Sequence, residues 1–141
     1  MAPVERTATG VWRGDLKGGD GEIGSASGVL SDAPFTYATR WENDKGTNPE
    51  ELIASAHAGC YSMAFSNYLS QQGHVPDEIE TRATITLDGA TITKMHLVTR
   101  GRVPGLDEAT FKRLADEADK KCPVSNLLRN GLEITREASL M

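Results

Sequence analysis

The sequence contains two cysteines, Cys60 and Cys122. Cys60 lies in a predicted helix beside Ala58 and Gly59, small residues that leave space for another group to approach. Cys122 precedes Pro123 at a predicted helix start, where free backbone N–H groups and the helix dipole stabilise a thiolate. The expected chemistry of such a pair is oxidation of Cys60 to a sulfenic acid, followed by attack from Cys122. Cys60 could instead fill the core as a small apolar residue, which is common for free cysteine.

A histidine, His57, precedes Cys60 by three residues and therefore lies on nearly the same face of the predicted helix. This spacing raises two further hypotheses, a Cys–His hydrolase dyad and a partial metal site. The dyad lacks an evident third residue to orient it, and the metal site lacks a local cluster of ligands. We therefore favour neither, and we interpret His74 and His96 as loop and strand-surface residues.

The helix that carries the first cysteine has clear boundaries. Asn48 can cap it, Pro49 suits its first position, and the two carboxylates that follow favour the positive end of its dipole. Gly73 is a typical left-handed stop. The pattern therefore predicts a helix over residues 49–73.

Residues 52–76 contain no charged side chain, a length that could span a bilayer. We reject a membrane span, because the run contains serine, histidine, asparagine and glutamine and has no basic flank. A helix buried by protein explains the run better. We expect Tyr61, Met63, Phe65 and Tyr68 to pack the core, and some of them could instead line an apolar pocket. A chain of 141 residues cannot wrap such a helix on all sides, so we expect a second copy to cover it in a two-fold dimer.

The remaining pattern predicts strands and two shorter helices. Alternation and turn residues predict antiparallel strands at residues 7–12, 22–30 and 35–41, and a hairpin of residues 79–87 and 90–103 around Asp88-Gly89. Helices are predicted at residues 106–121, capped by Asp107, and at residues 122–129, before a last strand at residues 132–136.

Length and charge limit the possible classes of protein. The length predicts a single domain over residues 1–141. A net charge of -5 with no long basic block argues against nucleic-acid binding. The first residues lack the basic and apolar stretches of a secretory signal, so we expect a cytoplasmic protein with no membrane partner.

Three segments carry a resemblance to a known family: residues 46–52 (Gly-Thr-Asn-Pro-Glu-Glu-Leu), 56–60 (Ala-His-Ala-Gly-Cys) and 122–125 (Cys-Pro-Val-Ser). Together with Trp12 and Thr39-Arg40, they resemble the signature of the OsmC/Ohr family, whose OsmC branch is named after an osmotically inducible protein. The similarity covers nearly the whole chain.

The resemblance implies an α+β fold of antiparallel sheets around a long buried central helix, assembled as an intertwined homodimer. It also implies peroxidase activity towards organic hydroperoxides, and less efficiently hydrogen peroxide, in oxidative and osmotic stress defence. By the same resemblance Cys60 is the peroxidatic cysteine and Cys122 the resolving one. We expect no metal, haem or flavin cofactor, and a dithiol or a lipoyl-bearing protein as reductant.

A thiol buried on an apolar helix has a raised pKa, so thiolate chemistry at neutral pH needs a nearby cation. Arg40 is the candidate, because its planar guanidinium can hold the thiolate and hydrogen-bond the departing oxygen. Glu50, in the matching family motif, would orient it as a bidentate partner. Arg13 is a rival cation, since Ohr-type relatives carry their arginine nearer the N-terminus. Arg40 and Glu50 could otherwise be a surface ion pair and an ordinary helix-start carboxylate.

Glu50 and Cys60 are ten residues apart on one predicted helix, about 15 Å along its axis at roughly 1.5 Å per residue. A chain's own Glu50 is therefore not expected to reach its own Cys60. We expect each active site to take Cys60 and Cys122 from one subunit and the Arg40–Glu50 pair from the other.

Two other functions are consistent with the same residues. The cysteines could form the disulfide of a redox sensor or thiol–disulfide exchanger, whose oxidation alters a partner surface. The chain could also be a non-catalytic binding protein for small apolar ligands, with Cys60 filling the core. Fast consumption of organic hydroperoxide distinguishes the peroxidase from both.

Overall fold

The structure is a computed structural model that describes residues 1–141. The chain divides into two compact units, residues 1–52 and residues 53–141. The expectation of a single domain stays a prediction. None of the helices is long and apolar enough to cross a membrane, although residues 52–76 carry no charge.

The first unit contains a three-stranded antiparallel sheet in the order β1–β2–β3. Its strands are β1 (Ala8–Arg13), β2 (Asp20–Ser25) and β3 (Ala33–Phe35). Val11 of β1 pairs with Glu22 of β2, and every residue of β1 is exposed. The unit therefore presents much of its sheet to the surface.

The predicted strand over residues 35–41 is wrong. The chain leaves β3 at Phe35 and forms a short helix, α1 (Tyr37–Trp41). A reciprocal capping box explains the change: Thr39 N–H donates to Thr36 Oγ1 at 3.2 Å, and Thr36 N–H donates to Thr39 Oγ1 at 2.9 Å. Two threonines that read as strand residues thus start a helix.

The long helix α2 (Pro49–Gln71) has the boundaries that the sequence predicts within two residues. Asn48 Oδ1 accepts the Glu51 N–H at 2.8 Å, which confirms the N-cap. Gly73, at a φ of 90°, follows the helix in the left-handed conformation that favours glycine. Cys60 consequently lies in the middle of a continuous helix.

The second unit contains a sheet in the order β4–β5–β6. Strands β4 (Glu78–Asp88) and β5 (Thr91–Arg102) form the predicted hairpin. Strand β6 (Glu133–Leu140) pairs with β5 in parallel, so this sheet is mixed rather than purely antiparallel. A parallel neighbour needs a crossover, which α3 (Glu108–Ala118), a 3-10 turn (Asp119–Lys121) and α4 (Pro123–Leu128) provide.

One face of α2 forms the core of the second unit. Tyr61, Phe65 and Leu69 are completely buried on it. The Phe65 ring lies 5.0 Å from the Phe111 ring of α3, and Tyr61 Oη donates to the carbonyl of Ala115 at 2.6 Å. These contacts fix the turn of α2 that carries Cys60.

The opposite face of α2 is uncovered in the single chain. Ala56, Gly59, Met63 and Asn67 recur at helical spacing on it and are exposed. Met63 is 77% exposed, so the expectation that it packs in the core is wrong for the single chain. Its neighbours on this face include the small residues Ala56 and Gly59, and no element of residues 53–141 covers it.

Candidate active site

The structure brings the two cysteine sulfurs together. Cys60 Sγ and Cys122 Sγ lie 3.3 Å apart, and both are free thiols. Cys60 comes from the middle of α2 and Cys122 from the residue immediately before α4. A disulfide has a sulfur–sulfur bond of about 2.05 Å, so a small movement suffices to close it.

Cys122 is the N-cap of α4, with Pro123 at the first helical position. The backbone N–H of Ser125 donates to Cys122 Sγ at 3.4 Å. Burial raises the pKa of the Cys122 thiol, but His57, the N–H and hydroxyl of Ser125, and Cys60 together lower this pKa to about 6. The resolving cysteine of the sequence prediction is therefore an acidic thiol.

His57 belongs to the same cluster and was not assigned a role from the sequence. It is completely buried, and its Nε2 lies 2.7 Å from Ser125 Oγ. Ser125 is also completely buried. The partner is 68 residues away along the chain, so the helical spacing of His57 and Cys60 could not reveal it.

Cys60 has different surroundings from those of Cys122. Burial raises the pKa of the Cys60 thiol, the backbone N–H of Val124 opposes this rise, and the neighbouring Cys122 adds to it. None of the groups that shift this pKa is a cation. A role as attacking thiolate at neutral pH therefore requires a positive charge from elsewhere.

Arg40 and Glu50 form a bidentate pair in the first unit. Arg40 Nη2 donates to Glu50 Oε1 at 2.7 Å, and Arg40 Nε donates to Glu50 Oε2 at 3.2 Å. Glu50 is 5% exposed, and the guanidinium carbon lies 4.6 Å from the centre of the Trp41 ring. The pair is thus partly buried, although its catalytic role stays a prediction.

Local structure fixes this pair. Arg40 lies on α1, which the Thr36–Thr39 capping box starts, and Glu50 lies in the first turn of α2. Asn48 joins the two elements, because its Nδ2 donates to the carbonyl of Thr39 at 2.9 Å while its Oδ1 caps α2. The Asn48 side chain therefore links α1, which carries Arg40, to the start of α2, which carries Glu50.

A mostly apolar cavity of about 240 Å³ lies beside Arg40 in the first unit. Its aromatic rings are in contact with one another, with the Trp12 and Phe35 centroids 5.3 Å apart and those of Tyr37 and Trp41 5.2 Å apart. The lining residues are Trp12, Leu16, Phe35, Thr36, Tyr37, Arg40 and Trp41. The cavity can accept an apolar group next to a guanidinium.

Arg13, the rival cation, has different partners. Its Nη1 donates to Glu22 Oε1 at 3.0 Å and lies 3.6 Å from Asp20 Oδ1. Its side chain is 57% exposed, which is typical of a surface ion pair.

The structure thus brings Cys60 to Cys122 and Arg40 to Glu50, the first pair in residues 53–141 and the second in residues 1–52.

Known proteins resemble this chain in sequence and in fold. Residues 42–137 match a family model described as OsmC-like protein. Peroxiredoxin OsmC of Escherichia coli (strain K12) is 45% identical over 133 residues, covering 92% of both chains. The organic hydroperoxide resistance protein OhrB of Bacillus subtilis (strain 168) is 28% identical over 121 residues, covering 83% of this chain and 88% of OhrB.

Solved structures share the fold. The crystal structure of Bacillus subtilis OhrB matches with a TM-score of 0.69, covering 94% of this chain and 97% of that chain. The crystal structure of an OsmC-like protein from Mycoplasma pneumoniae matches with a TM-score of 0.75 at 17% identity and covers 99% of both chains. With a family model that matches most of its length and a relative of 45% identity, this chain belongs to the OsmC-like protein family.

Proposed function

We propose that this chain is a cysteine-based peroxidase that reduces organic hydroperoxides, and less efficiently hydrogen peroxide, in oxidative and osmotic stress defence. The observation that carries the proposal is the 3.3 Å contact between two reduced thiols, Cys60 and Cys122. The names of relatives, a peroxiredoxin and an organic hydroperoxide resistance protein, support the choice of substrate.

The chemistry needs two steps on sulfur and one on an external thiol. The Cys60 thiolate attacks the terminal oxygen of the hydroperoxide, so that an S–O bond forms, the O–O bond breaks and the alkoxide leaves as alcohol after taking a proton. Cys122 then attacks the sulfur of the Cys60 sulfenic acid, and water leaves as the S–S bond forms. A dithiol reduces the disulfide by exchange and is itself oxidised to a disulfide.

Arg40 supplies the cation for Cys60 in this proposal. Its guanidinium stabilises the thiolate and donates to the departing alkoxide, and Glu50 orients it through the bidentate pair. The raised pKa of the Cys60 thiol supports the need for this cation. The apolar cavity beside Arg40 would hold the organic part of the hydroperoxide.

The enzyme acts as a homodimer with shared active sites. Support comes from the uncovered face of α2 around Gly59 and Met63, which a second α2 would cover. Glu50 and Cys60 are about 15 Å apart along the axis of α2, at roughly 1.5 Å per residue. Each site accordingly combines the cysteines of one subunit with the Arg40–Glu50 pair of the other.

The reductant is a small dithiol or a lipoyl-bearing protein, and the reaction uses no metal, haem or flavin. We place the enzyme in the cytoplasm, where reducing systems keep thiols such as Cys60 and Cys122 free. These assignments follow from the thiol chemistry and from the family resemblance.

Hydroperoxide consumption tests the function. Cumene hydroperoxide and dithiothreitol are mixed with wild type, Cys60→Ser or Cys122→Ser, and the loss of peroxide is followed. Wild type is expected to turn over, and Cys60→Ser is expected to be inactive because it lacks the attacking sulfur. Cys122→Ser should retain activity to the extent that dithiothreitol replaces Cys122 in attacking the sulfenic acid. Wild-type turnover no faster than that of Cys60→Ser contradicts the proposal.

Mixed dimers test the sharing of sites. Cys60→Ser and Glu50→Ala subunits are unfolded, mixed and reassembled. About one quarter of wild-type activity should return, because half of randomly paired dimers are mixed and each has one intact site. A mixture of Arg40→Ala and Glu50→Ala is the matched control, since both defects fall in the same half-site and no pairing restores it. Equal activity in the two mixtures rules out shared sites.

A further inference from the structure

The peroxide chemistry proposed above gives His57 no role, although this histidine is completely buried beside the two cysteines. Its Nε2 is bonded to Ser125 Oγ, while its Nδ1 has no hydrogen-bond partner. Buried polar atoms in proteins are nearly always hydrogen-bonded, so a ring nitrogen left unused in a core needs an explanation. The proton of a neutral ring can sit on this Nδ1, which leaves Nε2 to accept a proton through the Ser125 hydroxyl.

Ser125 connects the histidine to the sulfur. Its backbone N–H donates to Cys122 Sγ at 3.4 Å, and its hydroxyl oxygen lies 2.7 Å from His57 Nε2. A serine hydroxyl can donate one proton and accept two. Ser125 can therefore relay a proton from the Cys122 thiol to Nε2, after which its hydroxyl donates to the Cys122 sulfur and accepts the Nε2–H of His57. Burial raises the pKa of Cys122. This pKa is lowered by the side chain of His57 and by the N–H and hydroxyl of Ser125.

The other titratable groups around this cluster do not take the place of His57. On α2, burial raises the pKa of the Cys60 thiol and of Tyr61, whose hydroxyl donates to the Ala115 carbonyl and not to Cys122. Asp119 of the 3-10 turn is bound by Arg129 and by Arg136 of β6. Asp116 of α3 pairs with the same Arg136 and is 71% exposed. Asp119 meets Cys122 only through its backbone carbonyl among the hydrogen bonds, whereas His57 is the one base among the side chains that lower the pKa of Cys122.

We propose that His57 accepts the proton of Cys122, so that the resolving cysteine is already a thiolate when the sulfenic acid forms on Cys60. The inference rests on the proposed function, in which Cys122 closes the disulfide. The two thiolates are then stabilised by different groups. His57 and Ser125 of the same chain activate Cys122, and Arg40 of the partner subunit activates Cys60.

The resolving step balances without a further reactant. The Cys122 thiolate attacks Cys60 Sγ, the S–S bond forms, the S–O bond of the sulfenic acid breaks, and the electron pair leaves with hydroxide. The proton that Cys122 gave to His57 returns to this hydroxide and makes water. His57 ends the step neutral, as it was before Cys122 lost its proton.

A titration tests the acid–base pair. In the Cys60→Ser background Cys122 is the only cysteine, and its thiolate absorbance in the ultraviolet can be followed against pH. The midpoint should lie well below that of an ordinary cysteine, which is about 8.5, and should rise by at least one pH unit in His57→Gln. Glutamine can still donate to Ser125 but cannot take the proton, so an unchanged midpoint overturns the proposal.

Two further variants complete the titration. His96→Gln is the matched control, because His96 bonds Glu137 at 2.6 Å on the sheet and should leave the midpoint where it is. Ser125→Ala removes the connecting hydroxyl and should also raise the midpoint. If His57→Gln does not fold, the Ser125→Ala variant provides the test. A Cys122 midpoint equal to that of Cys60→Ser alone overturns the proposal.

The rate of resolution provides the second measurement. Protein with both cysteines is treated with one equivalent of cumene hydroperoxide, and the sulfenic acid on Cys60 is trapped with dimedone. At pH 7, disulfide formation in His57→Gln should be at least about twofold slower, because a rise of one unit from a pKa of about 6 lowers the thiolate fraction of Cys122 from roughly nine tenths to one half, and more sulfenic acid should be trapped. Equal trapping in wild type and His57→Gln contradicts the proposal.

The two proposals can fail separately. If Cys122 titrates with the predicted dependence on His57 but no hydroperoxide is consumed, the proposed function is wrong and the acid–base pair remains. If peroxide is consumed through Cys60 while His57→Gln changes neither the titration nor the trapping, the peroxidase remains and the role of His57 is wrong.

Discussion

The two compact units of the chain hold their reactive groups in opposite ways. Every buried hydrophobic side chain belongs to residues 53–141, where the two cysteines and His57 lie among them. Residues 1–52 contain no buried hydrophobic side chain, and their buried side chains are the polar ones of Thr39 and Glu50. The first unit thus holds its charge pair with hydrogen bonds, and the second holds its sulfurs by packing.

The difference shows what each unit lacks. The first offers a fixed guanidinium and an apolar cavity but no nucleophile. The second offers two sulfurs in contact, one of them acidic, but no cation that lowers the pKa of Cys60. The proposed peroxide reduction uses all of these features, and in the proposed dimer each unit would find its missing part in the partner subunit.

Removing the guanidinium should have the largest effect. In Arg40→Ala the Cys60 thiolate and the departing alkoxide lose their stabilising charge, so kcat/KM for cumene hydroperoxide should fall by about 10² to 10³-fold. Arg40→Lys keeps the charge without the bidentate fork and should lose less. Steady-state peroxide consumption measures both.

Arg13→Ala is the matched control for the charge. Arg13 lies in an exposed ion pair with Glu22 and Asp20, so its loss should change kcat/KM by no more than about twofold. A larger loss in Arg13→Ala than in Arg40→Ala would reverse the comparison and make Arg13 the active-site cation.

The acidity of Cys122 should appear as a pH-dependent stability of the second unit. With a folded pKa of about 6 against an ordinary value of about 8.5, Cys122 is ionised only in the folded state between these values. The contribution of the Cys122 thiolate to the free energy of unfolding is complete above pH 9. It is lost as the pH falls through 6, because unfolding between these values takes up a proton. The effect is at most about 4 kcal/mol, since one pKa unit is worth roughly 1.4 kcal/mol.

Chemical denaturation at several pH values can isolate this contribution. Cys60→Ser is compared with the double variant Cys60→Ser/Cys122→Ser, which cancels the titration of all other groups. The difference in free energy of unfolding between the two should grow from pH 6 to pH 9 in favour of the variant that keeps Cys122. A difference that does not vary with pH would mean that Cys122 is an ordinary thiol.

The parts of the fold that the sequence predicts depend on short-range signals. Asn48 and Pro49 start α2, and Asp88-Gly89 turns the hairpin, because the partners of these residues lie within a few positions. The family motifs also identify Cys60 and Cys122, whose contact the structure confirms. The Arg40–Glu50 pair was predicted in the same way.

The features that escape prediction depend on distant partners or on competing local signals. The bond between His57 and Ser125 joins residues 68 positions apart, and parallel pairing of β6 with β5 depends on the whole crossover. Met63 reads as a core residue, but its exposure depends on which face of α2 the chain covers. Thr36 and Thr39 favour a strand by residue type, yet each caps the other and starts α1.

The capping box of α1 should therefore make a small but measurable contribution to stability and to the position of Arg40. In Thr36→Ala the Thr39 N–H loses its acceptor, which should cost about 1 kcal/mol in the free energy of unfolding. Because α1 carries Arg40, kcat/KM should fall by no more than about fivefold, the rate equivalent of that energy. Thr36→Ser keeps the hydroxyl and should restore both values. If serine and alanine have the same effect, the hydrogen bonds of Thr36 do not hold Arg40 in place, and the guanidinium is fixed by Glu50 and Asn48 alone.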